Sequence, residues 1–250
     1  MAFFICLFSV FYFSIVKTDE KNRVEEFKTK ALQVSMFTPP ALPEIFSCIK
    51  TEESSKKEIL PKYRSLYAKN SDMTGFIKIP KTPLECPVMH TPKAPEFYLR
   101  RFFDKSDNQY GTPFVDGRCT VNPPSDNIIV HGHNMRDSEM FGTLPLYINK
   151  EYFLKHPVIN FDTIYEMGEY KIVSAFLSQY DSEDKSPHLY YNVIDFDSPE
   201  AYDAFSENIS KLSLYDTGEK INMGDKFLTL ITCNYHVNNG RMTVIAKKMT

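Results

Sequence analysis

The stretch Lys226-Phe227-Leu228-Thr229-Leu230-Ile231-Thr232-Cys233 is followed by Asn238-Asn239-Gly240 and then Arg241-Met242-Thr243-Val244-Ile245-Ala246. The runs Lys226–Thr232 and Met242–Ala246 are rich in β-branched and aromatic residues, the composition of strands. Asn-Asn-Gly is turn chemistry, so the two runs read as adjacent antiparallel strands. That pairing sets a cysteine at one strand exit beside an arginine at the next strand's entry. Far upstream, Ile128-Ile129-Val130-His131-Gly132-His133-Asn134-Met135 carries an apolar run into two histidines. Cys, His and Arg at strand ends are the parts of a thiol acyl-transfer site: a nucleophile, a proton carrier and an oxyanion donor.

Six further β-type runs come before these: Gly75–Ile79, Glu85–His90, Pro113–Asp116, Asn127–His131, Val158–Asp162 and Tyr170–Gln179. Lys81-Thr82-Pro83 and Asn122-Pro123-Pro124-Ser125-Asp126 mark turns between them. Short strands at such spacing predict a mainly β fold, closed or sandwiched. The 20 Phe and 15 Tyr against 9 Gly suit a β-rich core, although composition alone leaves a helical fold open. Ser198-Pro199-Glu200 starts a helix, with Ser198 as N-cap and Pro199 in the first turn. Ala201, Phe205, Ile209 and Leu212 follow at helical spacing. Lys17–Lys30 and Glu52–Lys69 are helical in pattern, separated by the helix-breaking Thr38-Pro39-Pro40-Ala41-Leu42-Pro43.

Whole-chain properties bound the function. The 250 residues allow one sizeable domain with appendages. A net charge of −3 gives no electrostatic case for nucleic acid. Five cysteines, an odd number with no zinc spacing, make neither a disulfide framework nor a metal site. Cys86 and Cys119 read as small apolar residues, Cys6 lies in an apolar N-terminal run, and Cys48 precedes a charged helix. That N-terminal run, Ala2–Val16, is uncharged and shorter than the roughly 20 residues that span a bilayer. It reads as a membrane segment or as a signal peptide, but it lacks a basic n-region and a small-x-small cleavage site.

Thr-Leu-Ile-Thr-Cys followed by Arg241, with Gly132-His133-Asn134-Met135 upstream, resembles a class B sortase of Gram-positive bacteria. Asn70–Ile79 is similar to that family's first barrel strand and Cys86-Pro87-Val88-Met89 to its second. Met140-Phe141-Gly142 and a helical insertion before the cysteine strand fit as well, and the likeness runs from Tyr63 to Lys248. The resemblance implies an eight-stranded β-barrel with N-terminal helices against it. It implies a signal anchor at residues 1–16, a stalk and linker at 17–50 and a catalytic domain at 51–250. It also implies a cysteine transpeptidase that cleaves a C-terminal sorting motif of secreted proteins. The acyl group would pass to a peptidoglycan amine outside the cell, with no metal or organic cofactor.

Each candidate residue also has a plain structural reading. Cys233 has the plain reading of a buried strand cysteine, yet polar Asn234-Tyr235-His236 after it mark a strand exit. His131 and His133 are two apart and share a strand face, so spacing leaves them equal; the match to G-H-N-M favours His133, with His131 as a packed residue. Arg241 is otherwise a solvated hairpin residue. Asn134 is a turn residue or an orienter of His133. Tyr190 either flanks a peptide or packs, and Leu99 and Thr232 line the groove by family analogy alone. Two alternatives stand beside the wall-anchoring reading: a pilin-polymerising sortase using a lysine amine, and a non-catalytic binding module on the same barrel.

Overall fold

A computed structural model describes residues 18–26, 29, 57–181, 183 and 189–249. Cys6, Cys48, the apolar run Ala2–Val16 and the Pro-containing linker lie outside the described residues. The chain divides into two units, Met1–Lys69 and Asn70–Thr250. In the first, residues 18–26 are helical, and a second helix, α1, spans Pro61–Lys69. Of the helical pattern anticipated over Glu52–Lys69, residues 57–60 are not helical, Pro61–Lys69 is, and 52–56 lie outside the described residues. Pro61 accounts for this, because its ring opposes a helical turn before it and its missing N–H is harmless in a first turn.

The second unit is a closed eight-stranded barrel. Its strands are β1 (Met73–Lys78), β2 (Glu85–Met89), β3 (Phe114–Val115), β4 (Asn127–His131), β5 (Val158–Thr163), β6 (Glu169–Gln179), β7 (Phe227–Cys233) and β8 (Gly240–Lys248). Around the barrel they run β1-β2-β3-β4-β7-β8-β6-β5. Every β-type run read from the sequence is one of these strands. Closure leaves no edge for pairing with another chain.

Burial patterns follow from each strand's place. In β5 buried and half-buried residues alternate, the mark of a strand with one wet face. In β4 and β7 every residue but the last is buried. These strands are covered on both faces and read as continuous apolar runs. Much of the outer cover is a helix, α3 (Pro199–Leu212); a shorter one, α2, spans Lys150–Lys155. The Ser198 side chain caps α3 by accepting from Ala201 N–H, and Pro199 opens its first turn. Tyr202, Phe205 and Ile209 are its buried face. The Phe205 ring meets Phe227 of β7 edge-on at 5.2 Å and Phe196 at 5.3 Å. Ser174 Oγ of β6 donates to the Ile209 carbonyl at 2.6 Å, a clip between barrel and helix.

This packing makes a stability prediction. Phe205→Ala should cost about 3–5 kcal/mol in urea unfolding, the range for a deleted core aromatic. Lys211→Ala, on the exposed face of the same helix, should stay within about 0.5 kcal/mol. A small effect at Phe205 would mean that α3 is not part of the core.

Candidate active site

β4 and β7 are parallel neighbours, paired from Asn127 with Phe227 to His131 with Ile231. The pairing continues past the strand ends. Gly132 N–H donates to the Ile231 carbonyl at 3.2 Å, and Thr232 Oγ1 donates to the Gly132 carbonyl at 2.7 Å. Asn134 Nδ2 then donates to the Cys233 carbonyl at 2.8 Å. These bonds bracket His133 and Cys233 and hold them side by side at the ends of adjacent strands. On the other side of β7, Cys233 is the direct cross-strand partner of Arg241. Directly opposed antiparallel residues have Cβ atoms about 4.5–5.5 Å apart. Three neighbouring strands thus deliver His133, Cys233 and Arg241 to one end of the barrel. The thiol is half-buried, whereas Cys86 and Cys119 are buried. Burial pushes the Cys119 thiol up to about 12, out of the range where a thiolate forms.

The two histidines have different surroundings. His131 Nε2 lies 3.2 Å from Asp116 Oδ2, with its ring against Phe114. Burial alone would raise the Asp116 carboxyl, but hydrogen bonds from Arg118 and His131 outweigh it, and the group titrates well below the usual carboxylate range. His131 is therefore part of a structural ion cluster. His133 Nε2 lies 2.6 Å from the Leu99 carbonyl. A carbonyl only accepts, so Nε2 carries the proton and Nδ1 is the free lone pair of the neutral ring. Burial draws the His133 pKa below its ordinary value, the Leu99 hydrogen bond opposes this, and the Arg100 charge adds to it. The resting ring is thus neutral, which leaves Arg241 as the fixed cation beside the thiol.

Gly132 between them is required by space. A Cβ there would stand 2.7 Å from the ring of Phe141, which is fully buried. The β7–β8 hairpin is equally tight: Asn234 N–H donates to the Gly240 carbonyl at 2.8 Å, and a Cβ on Gly240 would come within 2.3 Å of the Asn234 carbonyl oxygen.

The other candidates separate. Leu99 contributes its carbonyl to His133. Asn134 grips the cysteine strand instead of the imidazole. Thr232 is buried and locks the ends of β4 and β7 together. Tyr190 is 2% exposed, stacked edge-on with Phe176 at 5.0 Å, with its hydroxyl 2.7 Å from Ser178 Oγ. It packs, and offers a bound peptide no open face. Sequence reading passed over Tyr180, whose ring lies under the Arg241 guanidinium. Its only signal was its place at the exit of a strand two positions from the β8 partner.

A family model of the sortase domain matches residues 77–249. The chain belongs to the sortase family. Sortase B of Staphylococcus aureus strain NCTC 8325 is 26% identical over 245 residues, covering 97% of this chain and 92% of its own. A crystal structure of Bacillus anthracis sortase B, in complex with AAEK1, superposes with a TM-score of 0.75 at 26% identity, covering 93% of this chain and 99% of that one. A mutant form of Clostridium perfringens sortase B gives a TM-score of 0.68 at 28% identity, covering 76% and 87%. These relatives are class B sortases, and this sortase is a cysteine transpeptidase with the same closed barrel.

The His133 environment fixes a sign for pH dependence. Its folded pKa lies below the roughly 6.5 of an unfolded histidine, so the unfolded chain takes up the proton first as pH falls. Stability should therefore decline from about pH 6.5 down to the folded value, and be fully present above 6.5. An NMR titration of the ring should give a midpoint below 6.5, and His133→Gln should flatten the acid-side loss in urea melts. A midpoint above 6.5 would show that burial does not govern this ring.

Proposed function

We propose that this sortase cleaves a C-terminal sorting motif of secreted proteins at a Thr–Gly or similar bond and joins the new carboxyl end to a peptidoglycan amine. The observation that carries the reading is the register that sets Cys233 between His133 and Arg241. Cys233 Sγ attacks the scissile carbonyl carbon as its proton passes to Nδ1 of His133. The carbonyl oxygen becomes an oxyanion, which the Arg241 guanidinium binds. The C–N bond breaks, and the leaving amine takes the proton from His133. A wall amine then attacks the thioester, gives its extra proton to His133, and the sulfur leaves to be reprotonated. The same steps with a lysine amine describe pilin polymerisation. No observation on this barrel favours that over wall anchoring.

The test is a peptide-library cleavage assay with mass spectrometry of the products, run on the wild type and on single variants. Cys233→Ala should abolish cleavage, while Cys86→Ala and Cys119→Ala should retain it in folded protein. His133→Ala should lose about 10²–10⁴-fold, and His131→Ala far less. Arg241→Lys should be nearly as damaging as Arg241→Ala, because a lysine lacks the planar fork of donors. Cleavage that survives in Cys233→Ala would end the transpeptidase mechanism drawn here. A dead His131→Ala beside an active His133→Ala would reverse the two histidines.

The proposal places the catalytic domain outside the cell, held at the membrane through residues 1–16. What supports it is the apolar run without a cleavage site, and the need to meet wall amines where they are. Protease shaving of intact cells, followed with an antibody to the C-terminal half, should remove the domain. Complete protection until lysis would place it in the cytoplasm.

A further inference from the structure

Arg241 does not project freely from its hairpin. Its guanidinium carbon lies 5.4 Å from the centroid of the Tyr180 ring. Ser178 is the direct partner of Arg241 across β6 and β8, and Tyr180 stands two residues further along. Residues two apart share a strand face, and a diagonal cross-strand neighbour is within reach of an aromatic ring. The backbone holds this arrangement. Tyr180 N–H donates to the Asn239 carbonyl at 2.9 Å, and Gln179 Nε2 donates to the Asn238 carbonyl at 3.1 Å. The hairpin that carries Arg241 is thereby fastened to the end of β6.

The ring is itself braced. Tyr191 meets it at 5.1 Å between centroids. Tyr191 is buried, and its carbonyl accepts from Arg118 Nη2 at 2.7 Å. Tyr180 is therefore a fixed plate, open to solvent at one side and backed by the packed barrel on the other. A guanidinium has five N–H donors in one plane. Here Nη1 donates to the Gly240 carbonyl at 3.0 Å, and the guanidinium carbon lies over the Tyr180 ring. A guanidinium held over the ring keeps further N–H donors for an oxygen beside Cys233, and the contact restricts the rotamers of a side chain with many.

We propose that Tyr180 is a positioning residue for the reaction: its ring holds the Arg241 guanidinium across from Cys233, so that the donor edge is in place before the oxyanion forms. This rests on the reading of Arg241 as the oxyanion donor. The hydroxyl of Tyr180 has no part in it, and the face of the ring is what acts. A cation–π contact at a half-exposed site corresponds to roughly two- to fivefold in rate.

The experiment measures kcat and KM separately for Tyr180→Phe and Tyr180→Leu, on the fluorogenic peptide that the wild type cleaves best in the library assay. Thermal melts accompany them, to show that each variant is folded. Tyr180→Phe should keep wild-type kcat. Tyr180→Leu should lose roughly two- to fivefold in kcat with KM little changed. In single-turnover acylation with excess enzyme, adding Tyr180→Leu to Arg241→Ala should cost nothing more. Equal losses in the Phe and Leu variants would assign the effect to the hydroxyl and overturn the proposal. So would a normal kcat in Tyr180→Leu, a change confined to KM, or a full extra loss in the Arg241→Ala background. Near-normal turnover in Arg241→Ala alone would instead remove the oxyanion role on which the proposal stands.

Discussion

The parallel pairing of β4 with β7 is the contact on which the rest of this protein depends. It joins segments a hundred residues apart in the sequence, and it alone brings His133 to Cys233. A slip of one residue would turn every side chain to the opposite face. Both strands are buried on both sides, so such a slip would exchange the side chains of two differently packed faces and misfit both. A buried polar pair on the face that meets the outer cover pins the register further. Thr229 Oγ1 donates to Asn127 Oδ1 at 2.7 Å, and Asn127 Nδ2 donates to the Val193 carbonyl at 2.8 Å. Each group would be left unsatisfied in any other alignment, at about 1–3 kcal/mol apiece. The alignment of His133 with Cys233 is thus a by-product of core packing.

At the end of that strand pair the proposed mechanism separates charge from proton transfer. His131 is drawn into the cluster of Asp116 and Arg118, where a carboxylate and a guanidinium already balance one another. His133, two residues on, faces a backbone carbonyl and is kept neutral by burial. A neutral imidazole with one lone pair free is a base. A guanidinium cannot lose its proton at any relevant pH, so it is a permanent cation. Dividing these duties between two residues lets the positive charge beside the thiol persist whichever way the proton moves.

The β7–β8 hairpin carries the other half of the site, and its tightness has a purpose. Cys233 ends one strand and Arg241 begins the next, so any change in the turn displaces one against the other. Gly240 has no room for a side chain, and Asn239 takes a positive φ of 54°, where asparagine is tolerated. The loop tip is different: Tyr235 is 81% exposed and Val237 45%.

Local chemistry determined much of this by itself. Each strand, the cap of α3 at Ser198 and the turn before Arg241 are readable because a few neighbouring residues suffice to form them. So is the proximity of Cys233 and Arg241, since one hairpin makes it. The start of α1 is less legible, because the periodic pattern runs through Pro61 while the proline ring opposes a helical turn before it. The tertiary structure decided the rest. Spacing left His131 and His133 equal, a motif likeness favoured His133, and the arrival of Asp116 at one and of the Leu99 carbonyl at the other gives the physical difference. Tyr190 could flank a peptide or pack, and the fold packs it against Phe176. Tyr180 carried no motif, and its ring meets Arg241 only because β6 and β8 are neighbours in the barrel. These are contacts between segments distant in the chain, and a sequence states what each segment prefers without stating which segment will lie beside it.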